Sequence, residues 1–243
     1  MLRNITLIVE ADYGAMSVRA AEIFSRQVKE KPTSAYGFAT GSTPEGMYEE
    51  LAKQRAAGVD FTGITTFNLD EYHPIKPDDV QSYAHYMKKR VFGPLGITKT
   101  NLPDGAAADP VREAATYEAK LAAAGDVAMQ ILGIGTNGHI GFNEPDEAFA
   151  CQGGYVPLAQ ATIDANARLF DDPSQVPRHA LTLGIHAIMM AKRILLLASG
   201  TGKAEIIAAA LTGPIIPQNP ASVLQLHPDV TVVLDEAAAA GLK

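Results

Sequence analysis

Cysteine and long apolar runs are scarce in this sequence of 243 residues, which contains one cysteine, Cys151. One cysteine cannot form an internal disulfide, so a disulfide-stapled secreted scaffold and a cysteine-based metal site are both excluded. No stretch approaches the roughly 20 apolar residues that a membrane-spanning helix needs. The first apolar segment is short, and the acidic residues Glu10 and Asp12 follow it, unlike in a signal peptide. We therefore expect a cytoplasmic protein with no membrane partner.

Positively charged residues are also few, because the chain has 20 Lys and Arg but 27 Asp and Glu, which gives a formal net charge of −7. An acidic chain binds nucleic acid and anionic membranes poorly, so we expect no nucleic-acid partner. The composition, 47% hydrophobic and 19% charged, is typical of a globular chain and not of a disordered one. No linker, repeat or low-complexity tract divides the sequence, which favours a single domain over residues 1–243.

Short apolar runs alternate with segments of helical periodicity along the chain. The runs that predict strands are 5–9, 34–39, 64–69, 127–134, 194–198 and 230–234. The segments that predict helices are 11–31, 44–57, 82–92, 110–124, 203–211 and an alanine-rich C-terminal stretch, with Thr43 as the expected N-cap of the second. Such alternation predicts an α/β fold with a mainly parallel sheet.

The stretch 145–177 differs from the rest of the chain, because it has a Gly153-Gly154 pair and no sustained period. Its length exceeds that of ordinary connections and is typical of an active-site lid or a binding loop. A peripheral flap with two short strands or helices is equally compatible with the pattern.

Four polar or glycine-rich clusters directly follow predicted strands, namely 40–43, 70–72, 135–139 and 199–203. In open α/β sheets, ligands bind beyond the carboxyl ends of the strands. We therefore expect the four clusters to converge on one crevice.

Two of these clusters have the features of an anion site. Gly41, Ser42 and Thr43 precede a predicted helix, whose free N–H groups and positive dipole favour a phosphate. Lys203 lies in the first turn of another helix, where a cation is unfavourable unless an anion binds beside it. The second cluster is not a Walker A loop, because Ala204 follows the lysine where a Mg²⁺-binding hydroxyl is required.

The segment 133–138 matches G-x-G-x-x-G literally, but it runs into glycine, asparagine and proline where a dinucleotide site requires a helix. We therefore expect no nicotinamide cofactor and interpret the segment as backbone lying against a small ligand, with Asn137, His139 and Glu144 facing it. A carboxylate such as Glu144 orients an imidazole and raises its basicity. No histidine pair has metal-ligand spacing, so no metal is predicted.

Asp70 and Glu71 follow the third predicted strand. Burial at a strand end raises the pKa of a carboxyl group and makes it a stronger base. Alternation of side chains places the two carboxylates on opposite sides, so only one is expected to face the crevice. An exposed acidic turn is the alternative.

Six segments occur in an order that resembles the glucosamine-6-phosphate deaminase family, of the superfamily that includes 6-phosphogluconolactonase. They are FATGSTPEGMYEEL, FNLDEYHPI, SYAHYM, LGIGTNGHIGFNEP, RLFDD with VPRHALTLG, and LLLASGTGKAEII. The resemblance spans about residues 3–236 and implies a Rossmann-like, three-layer α/β sandwich without a nucleotide. It also implies conversion of glucosamine 6-phosphate and water to fructose 6-phosphate and ammonia, with neither metal nor organic cofactor.

The resemblance implies roles for individual residues. Ser42, Thr43, Lys203 and Arg168, in the expected lid, would bind the phosphate of the sugar. His139, oriented by Glu144, would open the ring, and Asp70 would move a proton from C2 to C1.

Some longer family members have an aspartate at the position of Asn137, where asparagine can only form hydrogen bonds. We do not expect the hexamer that longer members form, because the chain ends near its last helix, and we expect a monomer or a small homo-oligomer. Longer members also bind an activating sugar phosphate through basic residues that the segment 146–160 lacks. Two alternatives to the deaminase stay open, namely a 6-phosphogluconolactonase and a non-catalytic sugar-phosphate sensor.

Overall fold

The computed structural model describes residues 4–167, 170, 172 and 175–242. Its strands, in chain order, are β1 (Ile5–Glu10), β2 (Ala35–Phe38), β3 (Thr65–Asn68), β4 (Asp70–His73), β5 (Lys99–Asn101), β6 (Val127–Leu132), β7 (Gly154–Pro157), β8 (His179–Thr182), β9 (Ile194–Ala198) and β10 (Val230–Asp235). Seven of them form the main sheet, in the order β1-β10-β9-β6-β2-β3-β5. Every pairing in this sheet is parallel.

Helices flank the main sheet. They are α1 (Tyr13–Glu30), α2 (Glu45–Ala56), α3 (Tyr83–Met87), α4 (Gly93–Leu95), α5 (Pro110–Ala123), α6 (Gln160–Ala167), α7 (Ile185–Met189), α8 (Ala204–Thr212) and α9 (Glu236–Ala239). All residues of β2, β6 and β9 are buried, as expected for parallel strands covered on both faces. The α/β, Rossmann-like fold predicted from the sequence is therefore confirmed.

A second, smaller sheet consists of three antiparallel strands in the order β4-β8-β7. It begins one residue after β3, so the chain passes from the main sheet into the small one at Leu69. The small sheet has its own apolar cluster, formed by Tyr72, Ile75, Phe142, Leu158 and Ala180. The sequence did not predict these strands, and the stretch 145–177 contains β7 and α6.

Two local predictions were wrong. The residue expected to cap α2, Thr43, does not do so, because the helix begins at Glu45 and Pro44 takes the cap position without a side-chain hydrogen bond. The helix predicted over 82–92 is α-helical only as far as Met87 and continues as a π-helix over Lys88–Phe92. No helix within the described part of the chain is long and apolar enough to cross a bilayer.

Candidate active site

A cavity of about 410 Å³ lies where three of the predicted polar clusters and Lys203 of the fourth come together. The predicted site residues that line it are Gly41, Ser42, Thr43, Asp70, Asn137, His139 and Lys203. Glu144 contacts His139 and Asn137 beside the cavity. Arg168 lies outside the described residues.

The loop between β2 and α2 forms one wall of the cavity. Gly41 has a φ of 114°, a backbone conformation that favours glycine. Two tyrosines hold the loop: Tyr86 donates its hydroxyl to the Gly41 carbonyl at 3.1 Å, and Tyr13 donates to the Ser42 carbonyl at 3.0 Å. The loop therefore presents Ser42, Thr43 and the N-terminus of α2 in a fixed position, which suits an anion.

Lys203 brings the positive charge to this wall. It ends a 3₁₀ turn, Thr201–Lys203, that follows β9 and precedes α8. Its Nζ donates to the Ile134 carbonyl at 2.6 Å, and no carboxylate pairs with it among the residues that the structure describes. Burial lowers the pKa of Lys203 from its ordinary value. An anion in the cavity would offset this cost of burying an unpaired ammonium group.

Asp70 faces the cavity from the start of β4 and is 7% exposed. Burial, together with the nearby charge of Glu71, raises the pKa of Asp70 to about 8. A carboxyl group with such a pKa can both accept and donate a proton near neutral pH. The alternative of an exposed acidic turn is therefore wrong.

Glu71 points away from the cavity, as the alternation of side chains predicts. It is 1% exposed and accepts backbone N–H groups of Tyr72, Tyr83 and Ala84 at 2.8–2.9 Å. Burial raises the pKa of Glu71 to about 7, although these three hydrogen bonds lower it. Glu71 thus anchors the start of α3, which carries cavity residues, while its neighbour faces the ligand.

His139 and Glu144 are in contact, with 3.2 Å between the imidazole Nδ1 and the carboxylate Oε2. Asn137 donates its side-chain N–H to the same oxygen at 2.7 Å and accepts the backbone N–H of His139. The imidazole lies against Gly135, where a Cβ atom would be 2.3 Å from the ring. No helix starts in the G-x-G-x-x-G segment, as predicted.

Glu144 is held as a carboxylate by its partners. Burial raises its pKa, but hydrogen bonds from His139, Thr162 and Asn137, with the charge of His139, lower the pKa of Glu144 to about 2. An ionised Glu144 can orient the imidazole and stabilise its protonated form.

Sequence reasoning missed the aromatic wall of the cavity. Tyr72, Tyr83, Phe142 and Phe170 contact one another with ring centroids 4.7–6.2 Å apart. These residues come from four separate segments, and all four lie inside quoted motifs, but nothing in the sequence indicates that they are in contact. The hydroxyl of Thr162, which reaches Glu144 from α6, was also missed.

A family model described as glucosamine-6-phosphate isomerases/6-phosphogluconolactonase matches residues 13–233 of this chain. The chain belongs to this family. It is 48% identical over 236 residues to the glucosamine-6-phosphate deaminase of Thermoanaerobacter pseudethanolicus, covering 96% of this chain and 93% of that protein. The deaminase of Clostridioides difficile is 46% identical over 239 residues, covering 97% and 96% of the two chains.

Solved structures share the fold of this chain. A monomeric glucosamine-6-phosphate deaminase of the NagB superfamily superposes with a TM-score of 0.94 at 43% identity, covering 97% of this chain and 99% of that one. The 6-phosphogluconolactonase of Trypanosoma brucei superposes with a TM-score of 0.77 at 19% identity, covering 98% of both chains. At that identity the likeness concerns the fold alone.

The donor set of the site does not suit a metal ion. The described residues contain no group of three or more His, Cys, Asp and Glu side chains placed to hold one. The carboxylate of Glu144 is already bonded to His139, Asn137 and Thr162. The arrangement suits proton transfer on an anionic organic ligand.

Proposed function

We propose that this protein is a glucosamine-6-phosphate deaminase, which converts glucosamine 6-phosphate and water to fructose 6-phosphate and ammonia. The observation that carries the proposal is one cavity lined by a buried Asp70 of raised pKa, by His139, which contacts Glu144 beside the cavity, and by Lys203, which has no carboxylate partner among the described residues. The relatives that match nearly the full chain at 46–48% identity bear this name.

The phosphate of the sugar would bind at the loop of Gly41, Ser42 and Thr43, whose backbone N–H groups and hydroxyls donate to no other group among the described residues. Lys203 would supply the charge that neutralises it. Arg168, which lies outside the described residues, would add a bidentate contact from the segment before Phe170.

His139 would open the sugar ring by moving a proton between the anomeric hydroxyl and the ring oxygen. Glu144 supports this role, because its carboxylate orients the imidazole and stabilises the cation formed on protonation. Asn137 would hold Glu144 and the backbone of His139 in place, and as an amide it does not act as a base.

Asp70 would then remove the proton from C2 of the open aldose and deliver it to C1. The aldehyde oxygen at C1 takes up a second proton, which the ammonium group of the substrate gives up, so C1 becomes an alcohol and the nitrogen stays on C2 as a protonated imine. Water adds to that imine, and ammonia leaves, so fructose 6-phosphate remains. The cationic amine of the incoming substrate would favour the ionised form of Asp70, which is the form that accepts a proton.

The segment 145–177 would serve as the lid of this site within a single domain spanning residues 1–243. It contributes Ala161, Thr162 and Phe170 to the cavity lining, which supports that role. We further propose a cytoplasmic protein that is a monomer or a small homo-oligomer, without a nucleic-acid partner. The structural neighbour with a TM-score of 0.94 is monomeric.

The experiment that tests the proposal measures ammonia and fructose 6-phosphate together, from glucosamine 6-phosphate with no metal or nucleotide added. Equal amounts of the two products are expected. Absence of ammonia from a folded protein would overturn the proposal and leave the lactonase and the sensor, which hydrolysis of 6-phosphogluconolactone then separates. A lactonase has no need of a base at C2, so the buried Asp70 favours the deaminase.

A further inference from the structure

Thr162 is the one residue of α6 whose side chain reaches the His139–Glu144 pair, among the contacts of the described residues. It is 6% exposed, and its Oγ1 donates to Glu144 Oε1 at 2.6 Å. The other oxygen of the carboxylate, Oε2, contacts His139 and accepts from Asn137. One oxygen of Glu144 therefore bonds to the expected lid segment, and the other bonds to residues of the proposed proton-transfer site.

We propose that Thr162 is a positioning residue that couples the docking of α6 to the orientation of Glu144 and, through it, of His139. This inference rests on the proposed function, because His139 is taken as the acid and base of ring opening. It extends that function by assigning part of the proton-transfer geometry to the segment that covers the site.

The geometry supports coupling in both directions. The terminal torsion of a glutamate has a broad, weak preference, so hydrogen bonds to the carboxylate decide its orientation, and Thr162 is the partner that holds Oε1 among the described residues. A threonine in a helix commonly bonds to a carbonyl of its own helix, whereas this hydroxyl is used by a residue 18 positions earlier. The carboxylate is charged, so the hydrogen bond is of the stronger, charge-assisted kind.

When two interactions are coupled, each changes the free energy of the other by the same amount. If α6 fixes Glu144 in its productive orientation, Glu144 must stabilise α6 in its docked position by the same amount. The neighbouring Ile163 packs against the apolar cluster of the small sheet and supplies the non-polar part of the docking. Thr162 supplies the polar part of the docking, the hydrogen bond to Glu144, which depends on how that carboxylate is oriented in the active site.

The first experiment compares Thr162→Val, which has nearly the same shape without the hydroxyl, with Thr162→Ser, which keeps the hydroxyl. The control is Gln160→Ala, which removes a hydrogen bond within α6 itself, from Gln160 Nε2 to Asp164 Oδ1. We expect Thr162→Val to lower kcat about tenfold with KM changed less than about twofold, because a charge-assisted bond is lost away from the phosphate site. The serine variant and Gln160→Ala should stay within about twofold of the unaltered protein. Equal losses in Gln160→Ala and Thr162→Val would overturn the proposal.

A double-mutant cycle with Glu144→Ala tests whether the effect passes through the carboxylate. In the Glu144→Ala background, Thr162→Val should change kcat by less than about twofold, because its partner is already absent. A further tenfold loss in that background would show that Thr162 acts independently of Glu144, and the proposal would be abandoned.

Hydrogen exchange of the α6 amides separates this proposal from the proposed function, because it needs no turnover. Thr162→Val and Glu144→Ala should each speed exchange in α6 by about tenfold, and Thr162→Ser should not. Unchanged exchange in both variants would overturn the coupling even if the protein releases ammonia. If the unaltered protein releases no ammonia, the proposed function is wrong, but the exchange rates of the α6 amides still test the contact between Thr162 and Glu144.

Discussion

The two sheets of this molecule differ in how firmly their residues are held. In the main sheet, β2, β6 and β9 are buried along their whole length and lie between parallel neighbours. In the small sheet, every strand has four residues, and β7 is partly exposed throughout. Local opening costs least where few apolar side chains are buried. We therefore expect the main sheet to form the rigid floor of the proposed site, and the small sheet with α6 to form its cover.

Each sheet contributes a different part of the chemistry. The floor holds the groups proposed to fix the position of the ligand, the loop after β2 and Lys203, together with His139 after β6. The small sheet holds Asp70 at its first residue, directly beside the floor, and the segment after β7 brings Thr162. A site built in this way can close over a substrate without moving its anion-binding residues.

The largest expected effect comes from Asp70→Asn, at the junction of the two sheets. The amide keeps the shape of the side chain but accepts no proton, so kcat should fall by about 10²–10⁴-fold. KM should change little, because the phosphate contacts lie on the floor. Steady-state ammonia release and loss of the C2 proton into deuterated water are the measurements. Unchanged exchange at C2 would exclude Asp70 as the base.

The stability of the same variant provides the control for folding. The pKa of Asp70 is raised to about 8 in the folded protein, so the folded state keeps a proton that the unfolded state loses above pH ~4. The presence of Asp70 therefore lowers the free energy of unfolding progressively as the pH rises from ~4 to ~8. The gain in unfolding free energy from Asp70→Asn should therefore be larger at pH 8 than at pH 4, by on the order of 5 kcal/mol. Denaturant unfolding at both pH values checks this.

The floor itself is tested by Lys203→Met, which keeps the apolar stem and removes the charge. We expect KM for glucosamine 6-phosphate to rise about 10–100-fold, since a charge-assisted bond to phosphate is lost, with a much smaller change in kcat. Free glucosamine, which has no phosphate, is the matched control, and its weak binding should not change. Equal weakening of both ligands would remove Lys203 from the phosphate site.

The main sheet could be predicted from the sequence because its strands are continuous apolar runs separated by helical periods. The runs 127–134 and 194–198 correspond to β6 and β9 within two residues at each end. The small sheet could not be predicted, because four-residue strands such as β4 and β8 have little periodicity and pair across more than 100 residues of chain. Antiparallel pairing between such distant segments leaves no local signal.

The same division applies to the site. His139 and Lys203 follow the apolar strands β6 and β9, and Gly41 follows the shorter strand β2 of the same parallel sheet, so their position at one edge of the sheet follows from topology. The contact between Thr162 and Glu144 joins two segments of irregular sequence, and nothing in the spacing indicates it. The π-helix after α3 and the failed cap at Thr43 show that element ends are set by tertiary packing.

A smaller effect is expected from Glu144→Gln, which acts on the contact between floor and cover. The pKa of Glu144 is lowered to about 2, so the ionised group contributes stability above its unfolded pKa of ~4.5, and this is lost as the pH falls towards ~2. The variant should lose about 1–2 kcal/mol of unfolding free energy at pH 7 and little at pH 2.5. Thermal unfolding at several pH values is the measurement, and a loss that does not depend on pH would contradict the assignment.

The smallest effect is expected at the base of the cover, where Glu118 of α5 accepts the backbone N–H of Gly153 at 3.0 Å and that of Gly184 at 3.4 Å. Glu118→Gln keeps the size of the side chain but weakens both bonds, so the free energy of unfolding should fall by about 0.5–1 kcal/mol. Hydrogen exchange should quicken at residues 150–157, where β7 is attached, and stay unchanged in β6 and β9. Glu113→Gln is the matched control, because Glu113 lies on the same helix but accepts the backbone N–H of Asp104, before α5. This variant should leave β7 protected. Equal quickening in both sheets would mean that floor and cover open as one unit, and the comparison between them would then no longer hold.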